Sequence, residues 1–279
     1  MPDNLKTEIS PAFIFSQSSL QDYFDCPRRF QLRYIERLAW PAVETEPVRE
    51  NERRQQEGQL FHRMVQQHLL GLPAEKLARF ANSPELSGWW ENYLGYKFDW
   101  DGCTLYTELT LTAPCGSHRL LAKYDLVAMA PGRKALIFDW KTSLKRPRDE
   151  WMAIRMQTRV YRSLLVQAGA YLNGGVPLQP EQVEMIYWYA GFPSAPTRFP
   201  YNPAQYKHDW DTLASLIREI DSHPHFPMTG DKKKCSYCPY RSYCNRGGKA
   251  GLLDESDVEM ETSSTEFNLN FEQIAEIEF

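Results

Sequence analysis

Two aspartates and a lysine lie in adjacent stretches of β-forming residues, Asp125 in RLLAKYDLVAMA and Asp139 with Lys141 in KALIFDWKTS. The intervening PGRK is a turn signal, and residues equally distant from the turn of an antiparallel hairpin face each other. Asp125 and Asp139 lie equally far from Gly132. We therefore expect the two carboxylates to be opposite each other on one face, with Lys141 two residues further along on the same face.

Such a pair of carboxylates suits a divalent cation. Like charges that face each other in a partly buried sheet repel unless one carboxylate binds a proton or a cation lies between them. Magnesium takes carboxylate oxygens. A lysine beside it could orient or deprotonate a metal-bound water, or stabilise charge that develops on a phosphate. The alternative is structural, with an ion pair between Asp125 and Lys141 and a solvated Asp139. Because apolar neighbours indicate that the strand of Asp139 is covered on both faces, an idle charge there would be costly, which favours function.

The remaining periodicity predicts an α/β domain with a mixed sheet. Further strands are expected at LYTELTLTAP and VEMIYWYA. Helices are expected through Leu20–Phe24, through Phe30–Leu38, from Arg53 to Leu70, over 74–98, from Asp149 to Ala168 and from Pro203 to Ile220. Residues 41–50 are expected to be a polar linker. Residues 1–249 are expected to form one domain, and residues 250–279 an acidic, disordered tail.

The hairpin motif resembles the D…DxK core of the PD-(D/E)XK nuclease superfamily, with Asp125 as the first aspartate and Asp139 and Lys141 as the second part. Gly58 and His62, in GQLFH, resemble the GxxxH motif of its RecB-like branch, in which the histidine is a metal ligand. The resemblance implies that His62, Asp125 and Asp139 hold Mg²⁺ or Mn²⁺.

The resemblance extends to a following helix. Gln157 and Tyr161, in QTRVY, resemble the QxxxY motif of the branch and lie on one helical face, directed toward DNA near the metal. Glu108 resembles an acidic position that is frequent there, whereas Ala122 and Tyr124 replace a usual glycine and aliphatic residue. The family implies a restriction-endonuclease-like mixed β-sheet flanked by helices. It also implies a set of catalytic residues: Asp125, Asp139, Lys141, Gln157 and Tyr161.

Four cysteines form a further candidate site. Cys235, Cys238 and Cys244 are spaced C-x2-C-x5-C, and Cys26 lies far upstream. Four thiolates suit either tetrahedral zinc or an iron–sulfur cluster, and the spacing does not choose between them. The arrangement resembles the iron–sulfur staple of AddB-type and CRISPR-adaptation nucleases, which implies a 4Fe-4S cluster, with zinc as the alternative. Either metal centre would join the N- and C-terminal ends of the domain.

The charge distribution suggests a nucleic-acid partner. No lysine or arginine follows Lys249, whereas acidic residues continue beyond it, so the net charge of −4 hides a mildly basic body. Basic residues near the cysteines could form a phosphate-binding rim, or they could simply be solvated. They are Arg28, Arg29, Arg33, Lys232, Lys233 and Lys234. The acidic tail could dock on a partner protein, compete with DNA for this rim, or only aid solubility.

Composition and motifs exclude several classes of protein. Hydrophobic residues make up 42% of the chain, which excludes a wholly disordered protein. No apolar stretch approaches the length of a membrane helix, and the N-terminus lacks a signal-peptide pattern, so a cytoplasmic location without a membrane partner is expected. The chain has no GxxxxGK[ST] loop and therefore no nucleotide-driven motor of this type.

We therefore expect a metal-dependent deoxyribonuclease that acts in DNA repair, recombination or defence. Single-stranded ends are the expected substrate, and a helicase or another DNA-processing protein is the expected partner in trans. The alternatives are a non-cleaving DNA-binding or scaffold subunit and a zinc-stapled interaction module.

Overall fold

Six strands form one mixed sheet in the computed structural model, which describes residues 8–39, 46–222, 225–236 and 238–247. The strands are β1 Ile14–Ser16, β2 Thr104–Cys115, β3 His118–Ala130, β4 Lys134–Lys141, β5 Val183–Tyr189 and β6 Thr197–Pro200. The four strands expected from the sequence are present. The short strands β1 and β6 were not expected, because three or four residues carry too little periodicity to be recognised.

Helices cover both faces of the sheet. Among the described residues they are α1 Gln17–Asp25, α2 Pro27–Phe30, α3 Glu46–Leu69, α4 Ala74–Leu77, α5 Pro84–Gly95, α6 Asp149–Ala153, α7 Met156–Ala168 and α8 Pro203–Ser222. None of these described helices has the length and apolar character needed to cross a membrane. The acidic tail lies outside the described residues.

The strand order is β1-β3-β4-β5-β6, and β2 pairs with the other edge of β3. In the β3–β4 hairpin Leu126 faces Phe138 and Val127 faces Ile137, which is the register expected from the turn at Gly132. β4 and β5 run parallel, whereas β2, β3 and β4 are antiparallel neighbours. The expected α/β class with a mixed sheet is therefore confirmed.

Two hydrophobic cores lie on opposite faces of the sheet. In the first core, Leu20 from α1, Val160 from α7 and Leu213 from α8 pack on the sheet. In the second core, Phe61 from α3 and Trp90 from α5 pack on the other face. Side chains from helices on both faces can therefore meet at one end of the sheet.

The long helix expected after β4 is divided into α6 and α7. Arg155, between them, has an extended backbone with φ −63° and ψ 144°. The Gln21 side chain accepts a hydrogen bond from the Met156 N–H at 3.1 Å, and the Thr158 hydroxyl donates to the Met152 carbonyl at 2.6 Å. These bonds replace part of the helical pattern, so α7 starts in a new direction.

The second expected helix is also shorter than its periodicity suggests. α2 is followed by one π-helical turn over Gln31–Ile35, which ends where the Glu36 N–H donates to the Gln31 carbonyl. Leu38 lies beyond this turn, and its N–H donates to the Leu32 carbonyl. The expected linker is partly wrong as well, because its residues from Glu46 onward belong to α3, while its first part lies outside the described residues.

Candidate active site

The expected catalytic residues lie where β3 and β4 part. Regular pairing ends at Leu126 and Phe138, and β1 occupies the same edge of β3 only as far as Leu121. No described strand pairs with this edge of β3 between those two points. Instead, the Trp140 N–H of β4 donates a hydrogen bond to Asp125 Oδ2 at 2.9 Å. The Asp125 side chain thus takes the place of a backbone partner and holds the opening between the strands.

Tyr161 lies at this opening. Its hydroxyl donates to the Lys123 carbonyl of β3 at 2.7 Å, and its own carbonyl accepts from the Tyr124 hydroxyl at 2.9 Å. Burial holds the pKa of Tyr161 well above its usual range. Tyr161 therefore supports the backbone beside Asp125. The sequence instead predicts that its side chain is directed toward DNA. Tyr124, which the sequence marked only as a departure from the family pattern, is its partner.

Asp139, Lys141 and Gln157 form a closed set of contacts. Lys141 Nζ lies 2.9 Å from Asp139 Oδ2, and Gln157 Nε2 donates to Asp139 Oδ1 at 2.6 Å. Lys141 Nζ also donates to Gln157 Oε1 at 3.1 Å. Since Gln21 determines where α7 begins by bonding to Met156, 135 residues away in the chain, it also positions the adjacent Gln157. No sequence pattern indicated this role of Gln21.

His62 reaches the site from α3 on the opposite face. Its Nδ1 lies 3.3 Å from Asp125 Oδ2, and its side chain is one-third exposed. Burial lowers the pKa of His62, but the Asp125 carboxylate more than offsets this, so the pKa lies above its usual value. The structure thus brings together the three residues expected to hold a metal, His62, Asp125 and Asp139.

Burial raises the pKa of Asp139 from its usual value of 3.8 to about 6. The Lys141 ammonium opposes this shift, whereas the nearby Asp125 carboxylate adds to it. The site therefore holds two carboxylates that cannot both be charged without cost. A cation placed between them would remove that cost.

At the level of Asp125 the side-chain alternation of β3 changes phase. Strict alternation would place Tyr124 and Leu126 on one face, yet Tyr124 lies in the first core and Leu126 in the second. Across from Asp125 in β2, Glu108 has a left-handed backbone with φ 51°, and its carboxylate pairs with Lys123. Such a conformation is unfavourable for glutamate and persists only where the surrounding structure imposes it.

The donor set suits a divalent cation. Two carboxylates and an imidazole provide the oxygen and nitrogen ligands that Mg²⁺ and Mn²⁺ accept. Within the described ranges, however, no three histidine, cysteine, aspartate or glutamate side chains are arranged to hold a metal ion as they stand. Both Asp139 oxygens are engaged by Lys141 and Gln157, so a cation would replace some of these contacts.

The model of the PD-(D/E)XK nuclease superfamily matches residues 14–245. The chain belongs to the PD-(D/E)XK nuclease superfamily. The match includes β1, every expected catalytic residue and the three clustered cysteines, and the six-stranded mixed sheet flanked by helices fits a restriction-endonuclease-like fold. A comparison with curated protein sequences found no match.

Two solved structures show a distant similarity to this PD-(D/E)XK protein. The crystal structure of SSO0001 has 13% identity and a TM-score of 0.39, and the match covers 85% of this chain and 88% of that one. A candidate exonuclease from Eubacterium rectale has 8% identity and a TM-score of 0.47, with 74% and 79% covered. At these scores neither similarity supports a conclusion about activity.

The four expected cluster cysteines are free thiols, and among the described residues no three of them are placed to hold a metal ion as they stand. Burial raises the pKa of Cys238 to about 12, Arg29 opposes this shift, and Cys26 and Cys244 add to it. Cys26 likewise adds to the raised pKa values of Cys235 and Cys244, after burial. Four such thiols are a donor set that suits zinc or an iron–sulfur cluster.

Backbone contacts also bring the two ends of the domain together. The Arg28 N–H donates to the Pro227 carbonyl at 3.1 Å, and the Thr229 N–H donates to Cys26 Sγ at 3.4 Å. The α1–α2 segment therefore lies against the C-terminal loop that carries the other three cysteines.

Arg29 does not lie on the expected phosphate-binding rim. It is buried, and its Nη2 lies 2.8 Å from Asp22 and 3.0 Å from Asp25. Arg33 also pairs with Asp22, at 3.3 Å, and Lys234 pairs with Asp25 at 2.8 Å. The carboxylates of α1 face inward and are paired with these cations. Of these pairs, Lys234–Asp25 links the N-terminal segment to the C-terminal loop. Of the expected set, Lys232 and Lys233 are exposed, and Arg28 is half-buried.

The close approach of α3 to the end of β4 generates a first prediction. A Cβ added at Gly58 would lie 2.8 Å from Thr142 Oγ1, whereas nothing lies within 4 Å of a Cβ added at Gly88 of α5. Gly58→Ala should therefore lower the free energy of unfolding by about 1 kcal/mol or more, because the Thr142 side chain or the helix must shift to make room. Gly88→Ala should raise it by about 0.5–1 kcal/mol through helix propensity.

Urea denaturation measures both changes. Adding Thr142→Ala to Gly58→Ala removes the obstructing oxygen and should restore stability. If Gly58→Ala is as stabilising as Gly88→Ala, the proposed contact does not limit the position of α3.

The pKa of Asp139 generates a second prediction. Because this pKa is raised in the folded protein, that state binds the proton more tightly than the unfolded chain. The contribution of Asp139 to the free energy of unfolding should therefore fall as the pH rises from about 4 to about 6, and this contribution should not return above that range. Asp139→Asn should remove this loss and be more stable than the wild type by up to about 3 kcal/mol at pH above ~7 without divalent metal.

Denaturation of the metal-free proteins across this pH range gives the comparison. Asp211→Asn, at an exposed carboxylate of α8, is the control and should follow the wild-type profile. Parallel profiles for the wild type and Asp139→Asn would contradict the raised pKa.

Proposed function

We propose that this PD-(D/E)XK protein is a divalent-metal-dependent deoxyribonuclease that hydrolyses phosphodiester bonds at single-stranded DNA ends. The observation that supports it best is the set of contacts around Asp139. Its buried carboxylate is shared by Lys141 and Gln157, and its pKa is raised to about 6. Perturbed carboxylates beside a buried lysine are typical of catalytic sites.

His62, Asp125 and Asp139 would hold the cation. Nucleases of this superfamily generally use Mg²⁺ or Mn²⁺, and the donor set suits either ion. When bound, such an ion supplies a Lewis acid that polarises the scissile phosphate. His62 and Asp125 are already oriented toward each other across the two faces of the sheet.

Lys141 is the residue placed to act on the phosphate. Its stem is buried, and its ammonium is held by Asp139 and Gln157 at the end of β4. When a phosphate enters, this ammonium can donate a hydrogen bond to an oxygen on which negative charge develops. Gln157 keeps both partners oriented, and Tyr161 supports the backbone next to Asp125.

The cysteines Cys26, Cys235, Cys238 and Cys244 would hold a 4Fe-4S cluster, with zinc as the alternative. A metal centre would remove the cost of gathering four thiols, because thiolate ligands are stabilised by the metal. It would reinforce the contacts that already join α1 and α2 to the C-terminal loop. Its role would be structural.

The biological setting is proposed from the resemblance to RecB-like nucleases. DNA is the substrate, the process is repair, recombination or defence, and a helicase or other DNA-processing protein acts in trans. Exposed Lys232 and Lys233 could contribute to phosphate binding near the chain ends.

Substitutions in the site test the nuclease proposal. Asp125→Ala, Asp139→Ala and Lys141→Ala should each lower the cleavage rate by at least about 100-fold, because each removes a group placed on the reacting phosphate or its cation. End-labelled single- and double-stranded oligonucleotides with Mg²⁺ or Mn²⁺ provide the measurement. Lys134→Ala is the control, since Lys134 lies at the opposite end of β4 and pairs with Asp99.

Two results would contradict the proposal. Cleavage by Asp139→Ala at the wild-type rate would mean that the site lies elsewhere. Tight DNA binding without cleavage by the wild type would favour a non-cleaving DNA-binding or scaffold subunit.

The cysteine proposal is tested by metal content. Wild-type protein purified without oxygen should be brown and contain iron, and Cys244→Ala should lose the iron and melt at least about 5 °C lower. Cys103→Ala, at a thiol outside the set, should keep both properties. Zinc in place of iron would support the alternative metal, and a protein with neither would rule out a metal staple.

A further inference from the structure

The segment between Lys141 and Gln157 has both ends at the active site. Lys141 Nζ and Gln157 Oε1 are 3.1 Å apart, so the chain leaves the site at one and returns at the other. Leu144 is three residues from Lys141, and Ile154 is three residues from Gln157. Three residues span at most about 11 Å, so the Cα atoms of Leu144 and Ile154 lie within that distance of the Cα atoms of Lys141 and Gln157. We call residues 142–155 the rim segment.

The rim segment exposes large apolar side chains at both of its ends. Leu144 is 51% exposed and Ile154 is 58% exposed. Nearby, in the turn after β5, Phe192 is 36% exposed, and this turn is joined to β4 by the bond from the Ala190 N–H to the Lys141 carbonyl. Apolar side chains grouped around a catalytic end are typical of a surface that receives a ligand.

An arginine stacked on a tryptophan ring lies in the same segment. The guanidinium of Arg155 lies over the Trp151 ring, with its central carbon 4.5 Å from the ring centroid. Both side chains are half-buried, so the pair is partly accessible from solvent. Arginine planes and aromatic rings are the groups on which unpaired bases stack.

The segment is also anchored and basic. Arg146 Nε donates to the Ala195 carbonyl at 2.7 Å, and its Nη2 pairs with Asp149 at 2.6 Å. Asp149 in turn accepts from the Thr197 hydroxyl at 2.7 Å, which ties the segment to β6. Beyond this internal pair, the charged residues of the segment are Lys145, Arg148, Glu150 and Arg155, so basic side chains prevail. Positive charge favours a phosphate backbone over an apolar protein partner.

We propose that the rim segment holds unpaired bases of a nucleic-acid strand at the active site, with the Trp151–Arg155 pair as a stacking surface and Leu144 and Ile154 as apolar contacts. This inference rests on the proposed nuclease function and adds a mechanism by which the active site selects its substrate. Base faces are available for such contacts in a single strand, whereas in a duplex they are covered by stacking. The segment therefore selects single-stranded DNA by its bases as well as by its phosphates.

Binding of two fluorescent oligonucleotides separates bases from phosphates. Fluorescence anisotropy compares oligo-dT of about 20 nucleotides, longer than the site of a typical single-strand-binding fold, with an abasic strand of equal length. EDTA prevents cleavage. The wild type should bind oligo-dT at least about fivefold more tightly than the abasic strand. This factor corresponds to the smallest free energy that stacking of one base typically contributes.

Three variants should reduce this preference. Trp151→Ala removes the ring, and Arg155→Lys keeps the charge but loses the flat stacking group. The double variant Leu144→Ser with Ile154→Ser removes the apolar contacts at exposed positions that do not support the core. Each should weaken oligo-dT binding at least about fivefold and leave binding of the abasic strand within about twofold.

Tyr171→Ala is the matched control. Tyr171 is an exposed aromatic residue, 62% accessible, beyond the far end of α7, which is 13 residues long and so about 20 Å in length. This variant should bind both strands as the wild type does.

Two outcomes overturn the inference. Unchanged oligo-dT binding by all three variants would mean that the rim segment does not touch DNA. Equal loss of binding for both strands would mean that it contacts phosphate alone. Neither result affects the cleavage assay, whereas a wild-type protein that binds no DNA would refute the proposed function together with this inference.

Discussion

The hydrogen bond from the Trp140 N–H to the Asp125 carboxylate takes the place of a rung in the β3–β4 ladder. Up to Leu126 and Phe138 the two strands pair regularly, and beyond that level a side chain holds them apart. A continuous ladder would direct the backbone groups at each other and leave no room between the strands. The opening is stable because the Tyr161 hydroxyl satisfies the backbone carbonyl that β4 leaves without a partner.

The charges gathered at this opening explain why Asp139, Lys141 and Gln157 are bonded to one another. Asp139 and Lys141 are both buried, and a buried ion pair is tolerated only when its remaining hydrogen-bonding groups are satisfied. Gln157 bonds to both of them, and His62 faces Asp125 from the opposite side of the sheet. The pKa of Asp139 nevertheless stays raised, which means that its negative charge is still unfavourable at this position. A bound cation would relieve that cost.

A second group of buried charges joins the ends of the domain. Arg29 pairs with Asp22 and Asp25 of α1, and Lys234 reaches Asp25 from the C-terminal loop. These pairs lie beside Cys26, so ionic contacts and the proposed metal centre would act on the same junction. The sequence alone suggests that these basic residues form a DNA-binding surface. Because Arg29 lies at this buried junction, it is inaccessible to DNA.

Local sequence determined the hairpin and its register, because a turn at Gly132 and alternating apolar residues act over a few positions and leave one favourable pairing. The motif around Asp139 likewise identified the family, since the residue types and their order are properties of the chain itself. Tertiary structure decided the rest. The burial of Arg29, the bond from Gln21 that starts α7, and the backbone contact of the Tyr161 hydroxyl all join segments distant in sequence. No local pattern encodes such contacts, because their free energy arises only once the elements have packed.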